Sequence, residues 1–372
     1  FGLLLFGLEP FLTTHGILAA GGATAFALGS LLLINAPDAP FLRISWGGTD
    51  ARTLPAASTV RQVSQTLDSS FAVNSTAPIQ ALVTGARAGG QAGLAAYVHR
   101  LDAIPGVAGA QVTGLSADAV RVDIGYQPVP VSAAARHIVT QIRDTVPPPG
   151  TTVLIGGTTA GLVHELASLG ATLPWMALLV CVSTFVLLFL AFGSVVLPLK
   201  AIVMNVLSLS ATFGVVVWIF QWGHLSGLLR FTPTGSIDPT MPILMLAIIF
   251  GLSMDYEVFL LSRIRERYDQ TGDNTASVAS GLQRTGGVIT SLALLLIIVI
   301  GAFSASGITF IKLMGVGMIV ALIVDATVVR VLLVPATMRL LGRANWWAPR
   351  PLRRLYARYG IKEDTPAPAV IP

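Results

Sequence analysis

Charge is scarce in this chain of 372 residues: only 11% are Asp, Glu, Lys or Arg, against 53% hydrophobic. A soluble domain usually carries about 25% charged residues. That deficit, with a mean hydropathy of +0.76, argues against a soluble globular protein and for one that lives in lipid. Cysteine is nearly absent as well. The single Cys181 sits in an apolar run and excludes an intrachain disulfide framework or a cysteine-based zinc site. The five histidines, His15, His99, His137, His164 and His224, show no H-E-x-x-H spacing, so no metal is expected from them. There is no G-x-x-x-x-G-K-[ST] phosphate loop either, which disfavours ATP-driven work by this chain and leaves no cofactor to predict. The first residue is Phe1; no charged segment precedes the apolar start and no small-residue cleavage site follows it. This disfavours a signal peptide. The chain reads as a fragment, or as the downstream half of something longer.

What is present is a set of long apolar runs. A helix needs about 20 apolar residues to cross a bilayer, and backbone polar groups in lipid must be satisfied within the element. Six segments qualify: about Thr13–Ile34, Pro174–Phe192, Leu199–Trp222, Met241–Leu261, Val288–Phe303 and Ile311–Leu341. The fifth is short, and its start reaches back towards Arg284. The expected architecture is a polytopic α-helical membrane protein with six transmembrane helices. An extracytoplasmic α+β porter-like domain is inserted after the first. The expected divisions are residues 1–36 for the first helix and the apolar segment before it, and 37–171 for the inserted domain. Residues 172–342 form a five-helix bundle, and 343–372 form a basic cytoplasmic tail.

The inserted segment alternates in pattern. Ile44–Trp46, Ile79–Val83, Val120–Ile124 and Thr151–Ile155 read as strands. Ser58–Phe71, with Val60, Val63, Leu67 and Phe71 at helical spacing, reads as an amphipathic helix. Leu94–Ile104 and Ser132–Val146 read as helices, the latter stopped by Pro147-Pro148-Pro149-Gly150. Trp46, Tyr97 and Tyr126 read as core or rim aromatics rather than ligand contacts. The short loops carry Lys200, Arg263, Arg265, Arg267 and Arg284 on one side, together with the terminal Arg339, Arg343, Arg350, Arg353, Arg354 and Arg358. That side is expected to be cytoplasmic. The basic tail suits anionic lipid headgroups, or else a docking partner, and no fold or motif supports nucleic acid. The Thr365-Pro366-Ala367-Pro368 end reads as disordered.

Charges inside spanning helices cost at least about 2.5 kcal/mol each at the bilayer centre, so each calls for a reason. The fourth segment contains Gly251-Leu252-Ser253-Met254-Asp255-Tyr256-Glu257, which puts Asp255 about 21 Å along the helix from Met241. The sixth carries Asp325 near its middle and Arg330 five residues later. A carboxylate in hydrocarbon has its ionised form disfavoured. That makes Asp255 suited to loading and releasing a proton, with the Tyr256 hydroxyl as donor or relay. A polar clamp between helices accounts for Asp255 equally well, and is the preferred reading of Asp325. Glu257 is expected to act as a supporting acceptor or as partner to a neighbouring arginine. On a straight helix Asp325 and Arg330 lie about 140° apart, so they are not expected to pair. Gly251, Ser253, Gly315 and Gly317 are expected to let helices approach closely.

The run Gly251–Arg265, GLSMDYEVFLLSRIR, resembles the motif of the actinobacterial MMPL transporters of the resistance-nodulation-division superfamily. Ser280–Arg284, SGLQR, followed by Thr285-Gly286, and Asp325–Pro335, DATVVRVLLVP, resemble the same family's later helices. The similarity covers nearly the whole chain and is strong in the membrane half, weak in the inserted domain. It implies the C-terminal repeat of a twelve-helix exporter of lipids or other hydrophobic molecules in the plasma membrane, driven by the proton gradient. The repeat would work against the N-terminal repeat of the same transporter, and homo-oligomers are possible partners too. It implies a proton relay at Asp255 and Tyr256, supported by Ser253, Glu257, Asp325 and Arg330. Three other functions stay open. One is a multidrug or sterol-type efflux pump on the same scaffold, and another is a non-transporting scaffold for envelope assembly. The third, an intramembrane aspartyl protease using Asp255 and Asp325, is disfavoured because GLSMD lacks a glycine-x-glycine-aspartate pattern.

Overall fold

The computed structural model describes residues 44–70, 74 and 77–361. The first predicted spanning segment, Phe71 at the end of the first amphipathic helix, and the proline-containing end of the tail lie outside the described residues.

The polar segment folds as an α+β unit. Helix α1 spans Thr59–Ser70, then β1 Ile79–Thr84, α2 Ala86–Asp102, β2 Val107–Leu115, β3 Ala119–Tyr126, α3 Ala133–Asp144 and β4 Thr152–Gly156. The strands form one antiparallel sheet in the order β2-β3-β1-β4, which gives the β-α-β-β-α-β arrangement of a split βαβ motif. Alternation decides which face is covered. Ile79, Ala81 and Val83 on β1, and Val120, Val122, Ile124 and Tyr126 on β3, are buried against Tyr97 and Leu101 of α2 and Ile138, Val139 and Ile142 of α3. Tyr97 and Tyr126 are therefore core residues, as expected. The Tyr126 hydroxyl donates to the Ala77 carbonyl at 3.0 Å and sits 2.9 Å from Thr159 Oγ1. Burial raises the ionisation point of both tyrosines.

Three expectations for this unit change. β2 was not anticipated: it is an edge strand with two glycines and two register irregularities, Val107/Gly109 and Val112/Gly114, and most of it is exposed. It lacks the hydrophobic alternation that betrays a half-buried strand. Ile44–Trp46 forms no strand, only a bridge from Trp46 to Ile237. In α1 the expected apolar face is turned outwards, with Val60 65% and Val63 52% exposed, while Arg61 is buried. Arg61 is held by the carbonyls of Arg52 and Leu54 and by Thr232 Oγ1. Those hydrogen bonds offset the cost of burying its charge.

Among the described residues, five helices are long and apolar enough to cross a membrane, so this is a multi-pass membrane protein with a soluble α+β part. α4, Thr158–Phe192, leaves β4 and runs about 52 Å without a break. It begins well before Pro174, which sits inside the helix rather than at its start. α5 spans Val196–Val216 and continues as a π-helical turn, Val217–Gln221. After a short α6, Ser226–Leu229, come α7, Thr240–Thr271, and α8, Asn274–Gly301. α8 starts even earlier than Arg284 because Asp273 caps it, accepting from the backbone N–H groups of Thr275 and Ala276. α9, Thr309–Ile323, passes into a π-helical segment, Val324–Leu333, and then α10, Val334–Leu341. A last amphipathic helix, α11, Arg350–Tyr359, folds back on α4: Tyr356 packs edge-on to Phe189, and the Ile361 N–H donates to the Leu190 carbonyl.

Consecutive helices alternate direction, so the bundle has a domain end, next to the sheet, and a far end, next to α11. Close approach is real at two of the predicted glycines. A Cβ on Gly315 would clash with the Ser304 nitrogen, and one on Gly317 with Met245 Cε. Gly251, by contrast, is exposed and faces open space. At the domain end the soluble unit is fastened to the bundle. The Ser45 N–H donates to Gln221 Oε1 at 2.8 Å, beside the first π-helical turn, and Ser45 and Gly47 pair with Ile237.

Candidate functional site in the helical bundle

The site is built by α5, α7 and the π-helical segment. Ser253 stands at its centre. Its Oγ lies 2.6 Å from Asn205 Oδ1 and 2.8 Å from Asp325 Oδ1. Arg330 donates from Nε to Asp325 Oδ2 at 2.9 Å, with Nη2 also 2.8 Å from that oxygen. Nη2 donates further to the Ser253 carbonyl at 2.6 Å, and the guanidinium sits 4.9 Å from the centre of the Tyr256 ring. Asn205, Ser253, Asp325 and Arg330 are each at most 4% exposed.

The pairing of Asp325 with Arg330 corrects the expectation that they face apart. On an α-helix a spacing of five residues would separate them. Here the turn is widened to i→i+5 bonding, as in the Val334 N–H to the Val329 carbonyl, and residues five apart come to lie one above the other. The pairing thus depends on a backbone irregularity that hydrophobic periodicity does not reveal.

A serine hydroxyl carries one proton, yet Ser253 Oγ is within hydrogen-bond distance of two oxygens. Two arrangements satisfy the set. With Asp325 ionised, Ser253 donates to it and accepts from the Asn205 amide turned to present its nitrogen. With Asp325 protonated, the carboxyl donates to Ser253, which donates to Asn205 Oδ1. The chain of hydrogen bonds can therefore reverse direction with a proton, and no backbone need move.

Asp255 and Tyr256 part company. Tyr256 is buried under Arg330, whereas Asp255 is exposed and makes no side-chain hydrogen bond among the described residues. Both Asp325 oxygens are engaged by Ser253 and Arg330, so Asp255 and Asp325 do not form the dyad that an aspartyl protease needs. Glu257 is buried, but no arginine bonds to it among the described residues; the charges acting on it are those of Lys200, Arg330 and Asp325. Lys200, counted above among the loop charges, is instead a buried residue of α5. Asn205 and Lys200 were both missed by the sequence reading. A strongly polar side chain within an otherwise apolar run was the available signal for each. No group of three or more His, Cys, Asp or Glu that could hold a metal occurs among the described residues.

The MMPL family model matches residues 47–362. The chain belongs to the MMPL family. It is 40% identical over 349 residues to a membrane protein of Streptomyces coelicolor, covering 94% of this chain and 48% of that protein. It is 38% identical over 339 residues to the trehalose monomycolate exporter MmpL3 of Mycobacterium tuberculosis, covering 87% of this chain and 36% of that protein. It is also 35% identical over 356 residues to the heme uptake protein MmpL11 of Mycobacterium tuberculosis, with 93% and 36% covered. The chain thus spans less than half the length of these relatives.

Proposed function

We propose that this MMPL chain acts as one repeat of a secondary transporter that uses the proton gradient to export lipids or other hydrophobic molecules. The observation that carries this reading is a fully buried, hydrogen-bonded Asp325–Arg330–Ser253–Asn205 network set beside the exposed Asp255. So many polar groups within apolar helices are costly unless they work. Asp255 is the proton-loading carboxyl, and Tyr256, held by Arg330, links it to the buried network. Because Asp255 is exposed in this repeat, its partner is a group on the N-terminal repeat, and the greater length of the relatives supports that. Protonation biases a bistable packing of helices, and α4, continuous with β4, carries the movement into the sheet domain.

The far end collects Arg263, Arg265, Arg267, Arg284, Arg339, Arg343 and the arginines of α11, which supports a cytoplasmic far end and an external sheet domain in the plasma membrane. One relative is named for exporting trehalose monomycolate and another for taking up heme, which supports a large hydrophobic or lipid cargo. The test is Asp255→Asn in the intact transporter, with export of radiolabelled cell lipid as readout and gel filtration as the check of folding. Export is expected to stop while the protein stays folded. Undiminished export would end the proton-relay reading.

A further inference from the structure

Eight buried side-chain atoms have no hydrogen-bond partner among the described residues, and five of them lie on the elements that build the site: Ser208 Oγ, Asn205 Nδ2, Arg330 Nη1, Glu257 Oε1 and Lys200 Nζ. All five residues are at least nine-tenths buried. Leaving such atoms unmet is costly, and more so in lipid, where bulk water cannot reach them.

Their order along the helices is fixed by the Asn205–Ser253 contact. α5 and α7 run in opposite directions, so stepping towards the far end goes down in number on α5 and up on α7. Lys200 lies five residues from Asn205, about 7.5 Å, and Glu257 lies four residues from Ser253, about 6 Å. The two charged residues therefore occupy the same level, roughly one and a half turns beyond the bonded network. Arg330 lies on the far-end side of Asp325 along its own segment. The charges acting on Glu257 are Lys200 from α5, and Arg330 and Asp325 from the π-helical segment. The rise of about 6–7.5 Å between the tiers matches the span of one to two hydrogen-bonded waters, and the unpartnered atoms are the partners such waters need.

We infer that Glu257, opposed by Lys200, is a second proton station, through which the Asp325 network releases protons to the far end by way of water held between the two tiers. This rests on the proton-driven reading above and extends it. In the transfer, the Asp325 carboxyl gives its proton to the first water, a proton moves along the chain, and the last water gives one to the Glu257 carboxylate. Asp325 returns to its ionised pairing with Arg330. Glu257 then loses its proton to water at the far end, and Lys200 balances the carboxylate left behind. No proton is created or lost, and no co-reactant is required.

The experiment uses the full-length transporter in vesicles of its host's own lipid extract, with a pH-sensitive dye trapped inside and an acid pulse outside. Proton entry is recorded for the native protein and for D255N, E257Q, E257D and the double variant K200M/E257Q. A structural role for Glu257 favours the isosteric glutamine; a protonic role favours the shorter aspartate. The expected result is that E257Q lowers proton entry about 100-fold, the scale of a lost acid–base group, while E257D keeps most of it. K200M/E257Q, which removes both buried charges and so guards against misfolding, is expected to melt close to the native protein and to be as slow as E257Q. Native-like proton entry in E257Q or in the double variant, with D255N inactive, overturns this inference and leaves the proton-driven reading intact. Native-like entry in D255N overturns that reading instead.

Discussion

Arg330 and Asp325 offer a double-mutant cycle whose outcome the geometry fixes. Arg330→Met removes both contacts to Asp325 Oδ2 and leaves a buried carboxylate with only the Ser253 hydroxyl. Stranding a buried charge in this way costs about 3–5 kcal/mol. Asp325→Asn is milder, because Arg330 keeps the Ser253 carbonyl and the Tyr256 ring; losing one charge-assisted hydrogen-bonding partner costs about 1.5–3 kcal/mol. In the double variant no charge of this pair remains to be left unmatched. Its residual loss is the bond to the Ser253 carbonyl, about 1 kcal/mol, and the cation–ring contact, about 1–2 kcal/mol. The double variant should therefore be more stable than Arg330→Met alone, with a coupling of about 4 kcal/mol, at or above the top of the range for contacting residues. Arg330→Lys should fall between, since an ammonium cannot reproduce the guanidinium fork. Denaturant unfolding of the full-length protein in detergent, followed by tryptophan fluorescence, measures all four. If the two single losses simply add in the double variant, Arg330 does not neutralise Asp325, and the π-helical pairing has been misread.

Three further outcomes follow from the packing. Gly315→Ala forces a methyl against the backbone of Ser304 and Phe303, so it should lower stability by about 1–3 kcal/mol; Gly251→Ala, facing open space, should be neutral or raise it by up to about 1 kcal/mol, and equal thermal shifts for the two would contradict this contrast. Tyr126→Phe removes a buried hydroxyl bonded to the Ala77 carbonyl and Thr159. It should cost about 1–2 kcal/mol, read as faster proteolysis of the sheet domain within the intact protein, and unchanged proteolysis would count against it. Asn205→Leu deprives Ser253 of one neighbour; export of labelled lipid should drop at least about tenfold, on the scale of a broken relay, while a fully active variant would remove Asn205 from the site.

How far the sequence reached depended on whether the governing interaction was periodic or positional. The bundle was legible because lipid imposes a length and a hydropathy on each helix. The sheet was legible at β1, β3 and β4, where apolar residues recur or β-branched residues cluster. β2 escaped because an edge strand with two glycines need not alternate. The start of α8 escaped because the hydrocarbon ends before the helix does, so its first turns read as a polar loop although Asp273 caps them. In the candidate site, the costly residues Asp255, Asp325 and Arg330 stood out at once by the expense of charge in an apolar helix. What they touch did not. A spacing of five predicts separation on an α-helix, and only the widened π-helical turn brings Asp325 to Arg330. Lys200 misled for a related reason: it is four residues from the start of α5 by sequence, where a lysine reads as a loop charge, yet it turns inwards to the level of Glu257. Depth along a helix can be counted from the chain, but which way a residue faces depends on the turn it sits in. The groups proposed above to move protons are the ones for which that direction matters most.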